Sequence, residues 1–234
     1  MMKPFCIIAV LLCMAVTPPV MAQNFYEGFR AYEKSDYATA LENWRPLAED
    51  GDVLAQFNLG LMYKRGQGVP QDAAKAAHWY RKAAEQGFAD AQFNLGRMYD
   101  NGDGVKQDDA EAVRWYQKAA EHGYVVAQFY LGSIYKLGKG VMEDDAKAAH
   151  WYRKAAEQGY APAQTSLSAM YWTSAGTLQD AVLAHMWSSI GAANGDTNAL
   201  IVRGDVERQM TRNQIAEAQA RARRCFSSNY QDCD

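Results

Sequence analysis

One spacing constrains this chain more than its composition does. Glycines fall at 51, 87, 123, 159 and 195, each 36 residues after the last. A second set occupies Gly60, Gly96 and Gly132, lapses to Ser168 and returns at Gly204. A third pairs Gly66 with Gly68, Gly102 with Gly104 and Gly138 with Gly140, leaving Gly176 alone in the next unit. Sixteen of the eighteen glycines stand on these positions, so an ordinary glycine content is in fact a register. Trp79, Trp115, Trp151 and Trp187 keep it, as do Gln56, Gln92, Gln128 and Gln164. Tyr63, Tyr99, Tyr135 and Tyr171 keep it too, each nine residues before an aspartate: Asp72, Asp108, Asp144 and Asp180. A period of this length marks a small helical or strand unit that cannot bury its apolar face alone and must stack on copies of itself.

Each unit reads as two helices. In the first, Ala55, Leu59 and Met62 share one face at helical spacing. Gly60 costs about 1 kcal/mol in a helix relative to alanine, so its recurrence predicts a close helix crossing where a Cβ would hold the partner away. The Gly66–Gly68 loop turns the chain, and Asp72 is placed to cap a second helix over 73–86 that Gly87 ends. Asp108 with Glu111 has the spacing of a capping box. Before the first unit, 23–51 reads as a helix pair with a shorter turn, Tyr32 standing four residues before Asp36, and with Pro46 inside its second helix. After the last, 198–210 reads as a first-type helix carrying Gly204. Thr211 and Gln214 then form a capping box for a final helix whose Ile215, Ala218 and Ala222 face covers the open end.

Residues 1–22 read as an address. Lys3 precedes an apolar stretch from Phe5 to Val16, Pro18 and Pro19 break it, and Val20-Met21-Ala22 has the small-residue pattern of a cleavage site. The apolar core of about 12 residues is short of the roughly 20 that span a bilayer. The expectation is a cleaved leader and a periplasmic or secreted product with no stable membrane insertion. Cys6 and Cys13 leave with the leader. Cys225 and Cys233, eight residues apart, then either bridge in an oxidising compartment or remain two free thiols. The net charge of −3 gives no electrostatic drive toward nucleic acid.

The run Ala55-Gln56-Phe57, Leu59-Gly60, Met62-Tyr63, Gly66, Gly68-Val69, Asp72, Ala76, Trp79-Tyr80, Lys82-Ala83-Ala84-Glu85 and Gly87 resembles the Sel-1-like repeat, a relative of the tetratricopeptide repeat. Units 52–87, 88–123 and 124–159 match closely and 160–195 in degraded form, so 52–195 forms the repeat array between 23–51 and a capping pair with tail at 196–234. The resemblance implies an all-α fold, a right-handed α-solenoid of about six antiparallel helix pairs, acting as a protein-interaction scaffold in bacterial envelopes or signalling assemblies. By tetratricopeptide geometry, two rows that vary in register line a concave groove for a protein or peptide segment: Leu61, Arg97, Ser133, Ala169, and one turn on Lys64, Asp100, Lys136, Trp172. Phe57, Phe93 and Phe129 lie nearby, either as groove floor or as core. The charged members favour a polar peptide over a lipid.

No catalytic constellation, cofactor loop or metal spacing is legible. His78 and His150 share a position that Arg114 and Met186 fill elsewhere, and no two of the four histidines, His122 and His185 included, have the i, i+4 spacing of a helical zinc site. The expected class is therefore an exported binding scaffold with no cofactor and no enzymatic activity. The rivals are a periplasmic regulator of a membrane sensor, which uses the same binding chemistry, and a cell-wall-modifying or β-lactam-binding enzyme. Relatives of the latter kind carry a cysteine pair in each repeat, and this chain has none.

Overall fold

The computed structural model describes residues 20–177 and 179–233. The expected leader lies outside them except for 20–22, which open the first helix. Twelve helices, and no strand among the described residues, follow in order: α1 Val20–Glu33, α2 Tyr37–Glu49, α3 Val53–Arg65, α4 Ala73–Glu85, α5 Ala89–Asn101, α6 Asp109–Glu121, α7 Val125–Leu137, α8 Asp145–Ala156, α9 Ala161–Thr173, α10 Ala181–Ala193, α11 Asn198–Glu207 and α12 Arg212–Ser227. Two compact units divide the chain between Ala83 and Ala84. In the first, α2 packs on α1 and α3 around Trp44, Leu47, Leu59 and Met62. In the second, each helix from α5 to α11 packs on the next, and α12 on α10. The architecture is the expected all-α solenoid of stacked helix pairs.

The spacing of tyrosine and aspartate is a loop closure. The backbone N–H of Asp72, Asp108, Asp144 and Asp180 donates to the carbonyl of Tyr63, Tyr99, Tyr135 and Tyr171 at 2.9–3.1 Å. Each aspartate carboxylate then accepts the N–H three residues on, from Lys75, Glu111, Lys147 and Leu183. This holds the Asp72 and Asp144 carboxyls below the usual carboxylate range. The capping box expected at Asp108 is only half present. Glu111 turns outward to Arg114 at 3.0 Å, because an exposed cation one turn on competes for its carboxylate. At Thr211 and Gln214 the box is complete.

The helix-crossing glycines do what their spacing predicts. A Cβ built on Gly60, Gly96 or Gly132 would stand 2.7, 2.9 or 2.5 Å from the ring of Tyr80, Tyr116 or Tyr152, closer than any real Cβ contact. Against each of those rings lies the phenylalanine of the same unit: Phe57, Phe93 and Phe129 sit 5.7, 5.6 and 5.7 Å from their tyrosines, centroid to centroid. The hydroxyls share no common partner. That of Tyr116 donates weakly to Asp100 at 3.4 Å, that of Tyr152 pairs with Ser133 at 3.1 Å, and that of Tyr80 is buried without a partner. The ring is the constant element. In the fourth unit all three members change together. Ser168 and Ser188 replace glycine and tyrosine, and both donate to the Ala184 carbonyl, at 2.6 and 2.9 Å. Thr165 replaces phenylalanine and donates to Asp196 at 2.6 Å. Gly204, expected to repeat the crossing, has nothing within 4 Å of its would-be Cβ, because no tyrosine-bearing helix follows it.

Successive pairs are tied by the glutamine series. Buried Gln56, Gln92, Gln128 and Gln164 donate through Nε2 to the carbonyls of Ala48, Ala84, Ala120 and Ala156, which close the preceding helix, at 3.0–3.2 Å. From the other side, Oε1 of Gln92, Gln128 and Gln164 meets His122 at 3.0 Å, Gln158 at 2.7 Å and Asn194 at 2.9 Å. These partners occupy one register position beyond the second helix. The buried amide is thus satisfied at both ends, as burial requires. Asn194 also donates to the Tyr230 hydroxyl at 2.9 Å. Tyr230 sits in the short ring closed by the Cys225–Cys233 disulfide, so the tail caps the last member of the series.

Two substitutions test this framework. Gly132→Ala should cost about 1–3 kcal/mol through overpacking, read as a fall in melting temperature by circular dichroism. Gly204→Ala in α11 should be neutral or stabilising by up to about 1 kcal/mol. Equal losses at both sites would contradict the close-crossing account. Gln128→Leu removes the bonds to the Ala120 carbonyl, which still accepts the Gly123 N–H, and from the Gln158 amide, and should destabilise by about 0.5–1.5 kcal/mol in chemical denaturation. An unchanged midpoint would show the series to be dispensable.

Candidate functional site

The variable positions lie on the first helices of the pairs. In the unit up to 83, Leu61 and Lys64 are half-buried on α3. In the unit from 84 on, Arg97 is exposed on α5, with Asp100 half-buried one turn later, followed by half-buried Ser133 and Lys136 on α7 and Ala169 and Trp172 on α9. Within that second unit the structure brings Lys136 and Ala169 together. They border one crevice of about 300 Å³ with Tyr152, Ser166, Met170 and Thr173. Ser133 stands behind it, donating to the Phe129 carbonyl at 3.3 Å while the Tyr152 hydroxyl reaches its Oγ at 3.1 Å. Burial pushes the Tyr152 hydroxyl up from its ordinary range, so it is a neutral donor here. Trp172 packs partly against the core of the last pairs.

Two of the charges expected to face a partner are already engaged. Lys136 donates to Asp145 at 2.7 Å, and this bond raises its pKa. Asp100 accepts from Lys139, which lies 3.9 Å from Asp109 as well and is likewise raised, chiefly by Asp100. Arg97 makes no ion pair among the described residues. Lys139 stands between the two loop glycines, where Gln67 stands in the first unit. Gln67 also reaches back one pair, accepting from Tyr32 at 2.6 Å and donating to Tyr37 at 2.9 Å. The sequence signal for Lys139 was therefore present: inside three intact glycine pairs the enclosed residue changes from Gln67 to Asp103 to Lys139 while the glycines do not.

The tryptophan series and its neighbours lie elsewhere, on the second helices. Lys82, Lys118 and Lys154 cover Trp79, Trp115 and Trp151 at 4.8, 4.2 and 5.1 Å. His78 and His150 are exposed beside Trp79 and Trp151. His185 departs from these. It is buried in α10, its Nε2 is 2.7 Å from Glu207, and Ser189 Oγ is 3.4 Å from its Nδ1. The order Ser–His–Glu invites comparison with a nucleophile triad. Ser189 stands inside a helix, however, where the adjacent backbone N–H groups that could hold an oxyanion are consumed by the helix itself. Among the described residues no three His, Cys, Asp or Glu side chains gather as a metal site, and no helix is long and apolar enough to cross a membrane.

The profile of the family described as Sel1 repeat matches residues 53–88, 89–124, 125–160 and 161–196. Among solved structures, a Sel1 repeat protein from Oxalobacter formigenes is 36% identical, with a TM-score of 0.73 over 76% of this chain and 73% of that one. A protective antigen of uropathogenic Escherichia coli displaying an SLR fold is 31% identical over 91% of this chain and 55% of its own, with a TM-score of 0.49. A putative Sel1 repeat protein from Klebsiella pneumoniae is 24% identical over 80% and 93%, with a TM-score of 0.48. Comparison with curated proteins gives no match.

Proposed function

This chain belongs to the Sel1 repeat family, and we propose that it is an exported adaptor holding a segment of a partner protein along its first helices. The contact positions are Arg97, Asp100, Ser133, Lys136, Ala169 and Trp172 in the unit from 84 on; Leu61 and Lys64 hold the corresponding register positions on α3 of the other unit, as candidates of their own. One observation carries the reading. In the unit from 84 on, the repeating glutamines, crossing glycines and tyrosine rings build the framework, whereas Lys136 and Ala169, which vary, border an open crevice backed by hydroxyls. A fixed framework with variable side chains on one helix row is the arrangement by which repeat proteins present a binding surface. Export rests on the leader pattern at 1–22, and the tail disulfide is of the kind that persists in oxidising compartments.

Envelope extracts passed over the immobilised chain and over an Arg97→Glu, Lys136→Glu variant provide the test. The variant, with an unchanged melting curve, should lose the principal wild-type partner or retain it at least about tenfold more weakly. Identical partner profiles would overturn the assignment of this face.

A further inference from the structure

Tyr130 breaks the register beside the proposed face. The two preceding units carry Asn58 and Asn94 at its position and the next carries Ser166. Asn94 closes on its own helix, donating to the Asp90 carbonyl at 2.8 Å. Tyr130 instead lays its ring against Phe93, Tyr116 and Phe129 at 5.4, 5.6 and 6.2 Å, and Phe129 meets Tyr160 at 5.3 Å. The result is a continuous aromatic lane from α5 to the start of α9. Phe93 and Tyr116 are buried beneath it, while Phe129, Tyr130 and Tyr160 are half-exposed. The hydroxyls of Tyr130 and Tyr160 make no hydrogen bond among the described residues, so two donors stand free on an apolar bed.

Arg97 borders the same place, one turn beyond Phe93 on α5. Arg97 is exposed and free of ion pairs, and its register position holds only uncharged residues in the other units: Leu61, Ser133 and Ala169. The nearby carboxylates of Asp100 and Asp145 are held by Lys139 and Lys136, and neither pairs with Arg97 among the described residues. Aromatic rings favour offset or edge-on contact with another ring, and a guanidinium favours a carboxylate.

Resting on the groove reading, we infer that this lane docks an extended peptide segment of the partner in which an aromatic side chain stands beside a carboxylate. The aromatic ring packs on Tyr130 and Phe129, the carboxylate meets Arg97, and the Tyr130 and Tyr160 hydroxyls donate to the segment's backbone carbonyls.

Selection from a random-peptide display library on the full chain tests this, with two variants that each restore a residue another unit carries: Tyr130→Asn and Arg97→Leu. Both should remain folded with a cooperative melting transition above the assay temperature, Tyr130→Asn losing only the ring it removes from Phe93 and Tyr116. Wild type should enrich segments pairing Asp or Glu with Phe, Tyr or Trp, and the leading synthetic peptide should bind Tyr130→Asn at least about tenfold more weakly. Replacing the peptide's acid by alanine should weaken binding to wild type but not to Arg97→Leu. No enrichment, enrichment of basic or uncharged segments, or a leading peptide bound by both variants as tightly as by wild type would overturn the inference. If such a peptide is lost by Lys136→Glu alone, the lane fails while the groove reading stands; if it is insensitive to that change too, both fail.

Discussion

A tyrosine ring occupying the space where a side chain would otherwise be is the contact on which each regular unit depends. At Gly60, Gly96 and Gly132 the missing Cβ lets the facing tyrosine sit against the helix backbone, and the phenylalanine of the same unit closes over the ring. This fixes how near the two helices of a pair approach and where their outward positions fall. The fourth unit shows that the three residues act as one device. When glycine becomes Ser168, tyrosine becomes Ser188 and phenylalanine Thr165, with hydrogen bonds replacing ring packing, and a new glycine appears off register. Gly191 has that role: a Cβ there would stand 2.9 Å from Thr165 Oγ1.

The contacts between pairs are polar and equally regular. The buried glutamine reads the carbonyl that ends the preceding helix and the polar residue that follows its own pair, so the same side chain checks the register on both sides. A second tie comes from the loop glycines. A Cβ on Gly68, Gly140 or Gly176 would strike the backbone at Tyr37, Asp109 or Asp145, the first residue of a second helix one pair back. Because these ties use framework residues alone, the intervening positions are free to vary without loss of the stack.

Much of this was legible because periodicity converts composition into position. The helix pairs, the aspartate caps, the close crossings and the complete cap at Thr211 all follow from spacing and local chemistry; between a bridge and two free thiols at Cys225 and Cys233 the sequence left the choice open, and the structure holds the bridge. What escaped depends on which neighbour a side chain chooses. Glu111 has capping-box spacing yet pairs with Arg114, an exposed competitor that a motif does not weigh. Gly204 keeps the register although the helix that would use it is absent. Ser174 adopts the left-handed cap that glycine holds at 66, 102 and 138, with φ of 60°. Among the candidate contact residues the rows were found on the first helices, but the pairing of Lys136 with Asp145 and of Asp100 with Lys139 joins residues on different elements. Tyr130 was readable as a departure from Asn58 and Asn94, yet its significance came only from the rings around it.

Framework and proposed function thus fall on different residues: what repeats holds the pairs together, and what varies along the first helices is the surface proposed to meet a partner. The most direct test is site-specific photocrosslinking in the producing cell, with the reactive residue placed singly at Ser133 or Ala169 on the first helices and at Arg114 or His150 on the second. The account predicts a discrete adduct from the first two positions and none from the others. Adducts confined to Arg114 and His150 would put the binding surface on the tryptophan-bearing face and contradict it.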